Sequence, residues 1–193
     1  MYSFKVKNVI AMLSLNLMVF ASGAVGVWLD VPFVKQDKNA CGAASIAMVM
    51  QYWQRQQREP PDVPDSTEIQ RSIYSDQAHG IYASEMEHYL KQHGYRTFAF
   101  RGRIDDIKDH LEKGRPLIVA LKPSTGDATL HYVVVVGLDP DARLVLKNDP
   151  AQRKLLKQTQ SDFEREWKGT GNWTLLAVPL ENGPASSRPS SSQ

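Results

Sequence analysis

At 193 residues, with 42% hydrophobic and 23% charged residues, the chain is long enough for one domain with a sizeable core and too apolar to be disordered throughout. A net charge of +2, spread evenly along the chain, excludes the concentrated basic surface that nucleic-acid binding needs. A single cysteine excludes an internal disulfide framework and leaves the thiol free.

The N-terminus reads as an export signal. Lys5 and Lys7 precede the apolar run Val9 to Phe20, and small residues follow from Ala21 to Gly26. The apolar run is shorter than the roughly 20 residues of a membrane span. Residues 1–26 are therefore expected to be a signal peptide cut after Ala24 or Gly26, with an uncleaved N-terminal membrane anchor as the alternative. The expected location is exported, periplasmic or secreted.

Trp28 to Val34 reads as a short extended segment leading into the polar loop at Gln36. From Cys41 to about Trp53, Ala44, Ile46, Ala47, Met50 and Trp53 recur at helical spacing, and Met48 and Val49 widen the stripe. A helix apolar on most sides is a buried one. The small run Gly42-Ala43-Ala44 allows other backbone to come close to its first turn. The proline-rich stretch from Gln54 to Asp65 is a loop. Helices are predicted from Ser66 to Tyr74, Ala83 to His93 and Ile104 to Lys113, the last two closed by Gly94 and Gly114. A strand is predicted from Tyr95 to Arg101.

From Pro116 the pattern turns to β. Strands are predicted at 116–121, 131–137 and 143–147, a short capped helix at 161–167, and a last strand at 172–179. With helices first and strands later, the expected fold is α+β, N-terminal helices packed on a C-terminal antiparallel sheet. The domain spans 27–180, and the Ser- and Pro-rich 181–193 is expected to be a disordered tail.

Cys41 stands where a polar loop becomes an apolar helix. A thiol at a helix N-terminus is readily made acidic and nucleophilic, and a lone cysteine otherwise is most often a small buried hydrophobe. A nucleophile needs a base, and there are five histidines. His88, His93 and His110 lie in polar helical stretches and read as solvent-exposed; His79 lies in a turn. His131 opens a very apolar strand directly after a loop, a costly place for a polar ring unless it is used. An acid must then orient the imidazole. Asp149 follows the strand that should pair beside that of His131, at the same end. Asn148 is the alternative orienter. Gln36, a few residues upstream of Cys41, can supply an amide donor to an oxyanion. One cysteine and scattered histidines do not build a zinc site, and no cofactor is expected.

The ordered set Gln36, Cys41, His131 and Asp149 resembles the papain-like cysteine peptidases and, more closely, the double-glycine leader peptidases of bacteriocin-exporting ABC transporters and their stand-alone relatives. The resemblance is carried by 31–36, the run Cys41-Gly42-Ala43-Ala44-Ser45, 115–119, 131–137, Asn148-Asp149-Pro150 and 163–167, and it spans about 28–180. It implies a papain-like fold, with Cys41 as nucleophile, His131 as general base and acid, Asp149 as orienter, and Gln36 with the Cys41 backbone N–H as oxyanion donors. Two features depart from the family pattern. Gln36 stands five residues before Cys41 where six are expected, and no Gly-x-x-x-x-Gly-Lys-[Ser/Thr] nucleotide motif occurs. An exported chain points to a peptide or protein substrate other than a bacteriocin leader, and a membrane-associated export partner is an expectation of the same kind. The competing readings are other acyl-transfer or amidase chemistry on the same triad, and a non-catalytic peptide-binding module on a peptidase scaffold.

Overall fold

The longest helix is also the most buried. In a computed structural model that describes residues 26–57, 63–123 and 130–180, helix α1 runs from Cys41 to Gln57, and all residues from Gly42 to Met50 are buried. So apolar a helix must be covered on several sides. The sheet lies under one side, and α2 (Ser66–Ile73) and α3 (Ala83–Gln92) cover others. The expected signal peptide, apart from Gly26, and the expected tail at 181–193 lie outside the described residues.

Strands β1 (Val27–Trp28), β2 (Tyr95–Arg101), β3 (Leu117–Leu121), β4 (His131–Asp139), β5 (Leu144–Asn148), β6 (Leu156–Thr159) and β7 (Trp173–Pro179) form one sheet in the order β2-β7-β3-β4-β5-β6, with β1 paired to β4. Every ladder is antiparallel. The fold is α+β as expected, with one adjustment: β1 and β2 precede most of the sheet in sequence, so the sheet is not wholly C-terminal. Helices α4 (Ile104–Glu112) and α5 (Gln160–Lys168) cover the face opposite α1.

Two covered faces explain the apolar runs. Along β4, Val134 and Val136 belong to the core under α1, while Val133 and Val135 belong to the core under α4 and α5 with Phe163 and Trp167. A strand buried on both sides loses the alternation of a half-exposed one.

The segment expected to be extended from Trp28 to Val34 is a strand only at Val27–Trp28. It takes over the edge of β4 where β3 ends, with Trp28 opposite Gly137. A Cβ at Gly137 would lie 2.7 Å from the Val27 carbonyl oxygen, so the close approach requires glycine. Beyond Trp28 the Leu29 N–H still donates to the Val136 carbonyl at 2.7 Å. Asn148 then donates from its side chain to the carbonyls of Val31 (3.1 Å) and Pro32 (3.4 Å). Strand β6 has no periodicity to announce it. Leu-Lys-Gln-Thr becomes a strand because β5 supplies the ladder.

Candidate active site

The loop before α1 turns through Asn39, whose φ of 58° is the left-handed conformation that asparagine tolerates. Helix α1 follows at once, and Cys41 is its partly exposed first residue. The unpaired first-turn N–H groups and the helix dipole favour an anion there. The small side chains after it are used by side chains rather than by backbone. A Cβ at Gly42 would stand 3.2 Å from Ile81 Cβ and 3.5 Å from Tyr132 Cδ2.

His131 is the first residue of β4, and its side chain is 20% exposed. Strands β4 and β5 pair with Val134 opposite Asn148, and the chain leaves β5 with Asp149 beside the start of β4. His131 Nε2 and Asp149 Oδ1 are 2.8 Å apart. The Cys41 side chain also acts on the His131 ring, favouring its charged form. One imidazole therefore contacts the buried carboxylate and feels the helix-borne thiol. Burial alone disfavours the imidazolium. The hydrogen bond to Asp149 and the Cys41 side chain, with the negative charge of both, outweigh it, and the His131 pKa is raised from 6.5 to about 9.

Asp149 is 1% exposed, and burial by itself favours its neutral form. The His131 bond and charge, then the Lys147 charge, hold the carboxyl below the usual range. Oδ1 also accepts from the Ala151 N–H at 3.0 Å, and Oδ2 accepts from Gln152 Nε2 at 2.9 Å. Asn148 points the other way, into the tether to Val31 and Pro32, and its Oδ1 accepts from the Leu155 N–H at 3.0 Å. The residue that meets His131 is thus Asp149, and Asn148 is occupied elsewhere.

A profile of the Peptidase C39-like family matches residues 28–175. The chain belongs to that family. It is with that family a cysteine peptidase, and three solved structures share its fold. The peptidase domain of Streptococcus ComA, a bifunctional ABC transporter of a quorum-sensing pathway, is 21% identical over 77% of this chain and 98% of its own, with a TM-score of 0.61. A double-glycine motif protease from an AMS/PCAT transporter, solved with its leader peptide, is 22% identical over 80% and 95%, with a TM-score of 0.60. Xylellain, a cysteine protease from Xylella fastidiosa, is 14% identical over 83% and 88%, with a TM-score of 0.58. No curated protein matches the chain.

Within this C39-like domain, Gln36 is tied to the site through its main chain. Its N–H donates to the Pro150 carbonyl at 3.0 Å, next to Asp149. Its side-chain Oε1 is buried with no protein partner among the described residues. The remaining histidines lie apart. His79 is exposed on a turn with φ of 48°, and His88 and His93 are exposed. His110 departs from the expectation of exposure: it is half-buried, its ring tilted against Phe100, with a buried and unpartnered Nδ1. Burial and then the charges of Arg115 and Lys113 lower its pKa. The helix face that carries it reads as polar, and it is the aromatic ring of Phe100, on the strand just before the helix, that covers it.

Two neighbours of the pair escape sequence reasoning. Gln152 holds Asp149 through a contact no motif encodes. Lys147, only 4% exposed, lies 3.9 Å from Asp149 Oδ2. Its signal was available: it stands two residues from the fully buried Val145 on the same strand, and so shares its inward face. Among the described residues no three His, Cys, Asp or Glu side chains converge as a metal site.

Proposed function

We propose that this chain is an exported peptidase that hydrolyses peptide bonds through Cys41, His131 and Asp149, with Gln36 as oxyanion donor. The observation that carries the reading is the 2.8 Å contact between His131 Nε2 and the buried Asp149 carboxylate, with the Cys41 side chain acting on the same ring. An imidazole oriented by a buried carboxylate is the base placed to take the thiol proton as the sulfur attacks.

The Cys41 thiolate attacks the peptide carbonyl carbon, and charge moves to the carbonyl oxygen. The Cys41 backbone N–H and the Gln36 side-chain amide receive that charge. The C–N bond then breaks as His131 gives its proton to the leaving amine, and a thioester remains. Water, deprotonated by His131, attacks the thioester and regenerates the thiol. Asp149 keeps the ring oriented and stabilises its charged form throughout. Export rests on the basic, apolar and small-residue pattern of 1–26; mass spectrometry of the protein recovered from the medium or periplasm tests it, and an intact Met1 would overturn cleavage.

The test of the chemistry is a peptide library profiled by mass spectrometry. Cys41→Ala and His131→Ala should each lower turnover by on the order of ten-thousandfold, and Asp149→Asn by roughly a hundredfold. Full activity in Cys41→Ala would sink the reading.

A further inference from the structure

Two cavities open at the same end of the β3–β4 ladder, on its opposite faces. Ala120 pairs with Tyr132 and Leu121 with His131, and alternate residues face opposite ways. The cavity on the Tyr132 face, about 360 Å³, is lined by Ala120, Leu130, Tyr132 and Trp173 and is mostly apolar. The cavity on the His131 face, about 270 Å³, is lined by His131, Asp149, Lys147, Gln152, Lys157 and Glu166.

The partners in this second cavity are unevenly shared. Asp149 is satisfied by His131, Ala151 and Gln152. Glu166 Oε2 accepts from Gln158 Nε2 at 3.0 Å. The ammonium of Lys147, on a side chain 5% exposed, makes no hydrogen bond among the described residues, and its only ion pair is the 3.9 Å contact with Asp149. Lys157 is exposed and makes no ion pair among the described residues. His131 is paired with Asp149, so the groups of this cavity that lack a close partner are its two lysines, Lys147 and Lys157.

We propose that this cavity receives a carboxylate from the leaving-group side of the scissile bond, carried by an acidic side chain or by the substrate's C-terminus and held by Lys147 and Lys157. The inference rests on the peptidase reading above. Direction follows from the chemistry. His131 must protonate the departing amine, so that nitrogen sits against its ring and the chain beyond it continues toward the cavity His131 lines. The acyl part stays over Cys41 and the apolar face. Burial lowers the Lys147 pKa despite Asp149 and Glu166 nearby, and a carboxylate brought close offsets that cost.

The test uses the full chain and matched peptide sets that vary the residues after the cleaved bond. Amidated peptides carry Glu, Gln or Lys there, and a Gln set is also offered with a free C-terminus. The expected result is about a tenfold higher kcat/KM for Glu over Gln, or for the free acid over the amide. A gain confined to Glu assigns an acidic side chain; a gain confined to the free acid assigns the terminus. Lys147→Met and Lys157→Gln should bring the ratio toward one. The ratio compares two substrates on one variant, so a general loss of activity does not move it, and Lys157→Gln stands if Lys147→Met fails to fold. Equal cleavage of all sets, or a preference that persists in both variants, overturns the inference alone. If no peptide is cut in a Cys41-dependent way, the peptidase reading falls and the inference falls with it.

Discussion

The two faces of the sheet differ in what they bury near the site. Under α1 the core is apolar, with Ile46, Met48, Val134 and Val136 fully enclosed. Its one deeply buried polar side chain on α1 is Ser45, whose hydroxyl has no partner among the described residues. The opposite face begins the same way, with Phe163 and Trp167 against Val133 and Val135. Toward the start of β4 it becomes polar, and Lys147 and Asp149 are buried there. The Cys41 thiol therefore comes from the apolar face, on a helix that packing encloses. His131 and Asp149 come from the polar face, where hydrogen bonds from Ala151 and Gln152 and the contact between the two fix the carboxylate. Position is secured by packing on one side and by electrostatics on the other.

This contrast can be broken at its apolar end first. Trp167 is 1% exposed and donates from its indole to the Trp173 carbonyl at 3.1 Å. Trp167→Ala should cost about 3–5 kcal/mol in urea unfolding. At the polar end the largest effect should be one of pH. The folded pKa of His131, about 9, lies above its ordinary 6.5, so its contribution to stability is full below 6.5 and is lost as pH rises through about 9. Comparing unfolding at pH 6 and pH 10 should show a loss of roughly 3 kcal/mol that is absent in His131→Gln. The same titration predicts that kcat/KM falls above pH about 9.

Asn148→Ala removes a fully buried amide and strands the Val31 and Leu155 backbone groups it serves. A destabilisation of about 2 kcal/mol is expected, together with reduced turnover, since the tether places the loop before Cys41. The smallest effect is at Gly102, where an added Cβ would lie 2.7 Å from both Trp167 Cζ2 and Thr174 Oγ1. Gly102→Ala should cost about 1–2 kcal/mol by overpacking, and Trp167→Phe should relieve part of it in the double variant.

Much of this arrangement is legible in the chain because it rests on local pattern. The α1 stripe, the glycine stops at Gly94 and Gly114, and the apolar strands all follow from period and propensity. The nearness of His131 and Asp149 follows from hairpin arithmetic, since consecutive antiparallel strands return the chain to the same end. What escapes is polar and non-local. Strand β6 exists only because β5 offers it a ladder. Lys147 looks like an ordinary surface lysine until its place on the same strand face as Val145 is counted. The side-chain direction of Gln36 depends on a loop whose geometry no spacing rule encodes.

The hydrogen bond from the Gln36 N–H to the Pro150 carbonyl has a dynamic consequence. It joins the loop that precedes the cysteine to the loop that follows the aspartate, so the two walls of the cleft share one amide proton. That proton can exchange with deuterated solvent only when the walls part. Its exchange rate therefore counts the opening events of the cleft, one amide serving as a built-in clock. A substrate analogue that spans both walls should slow that clock, whereas one that rests on a single wall should leave it running at the same rate.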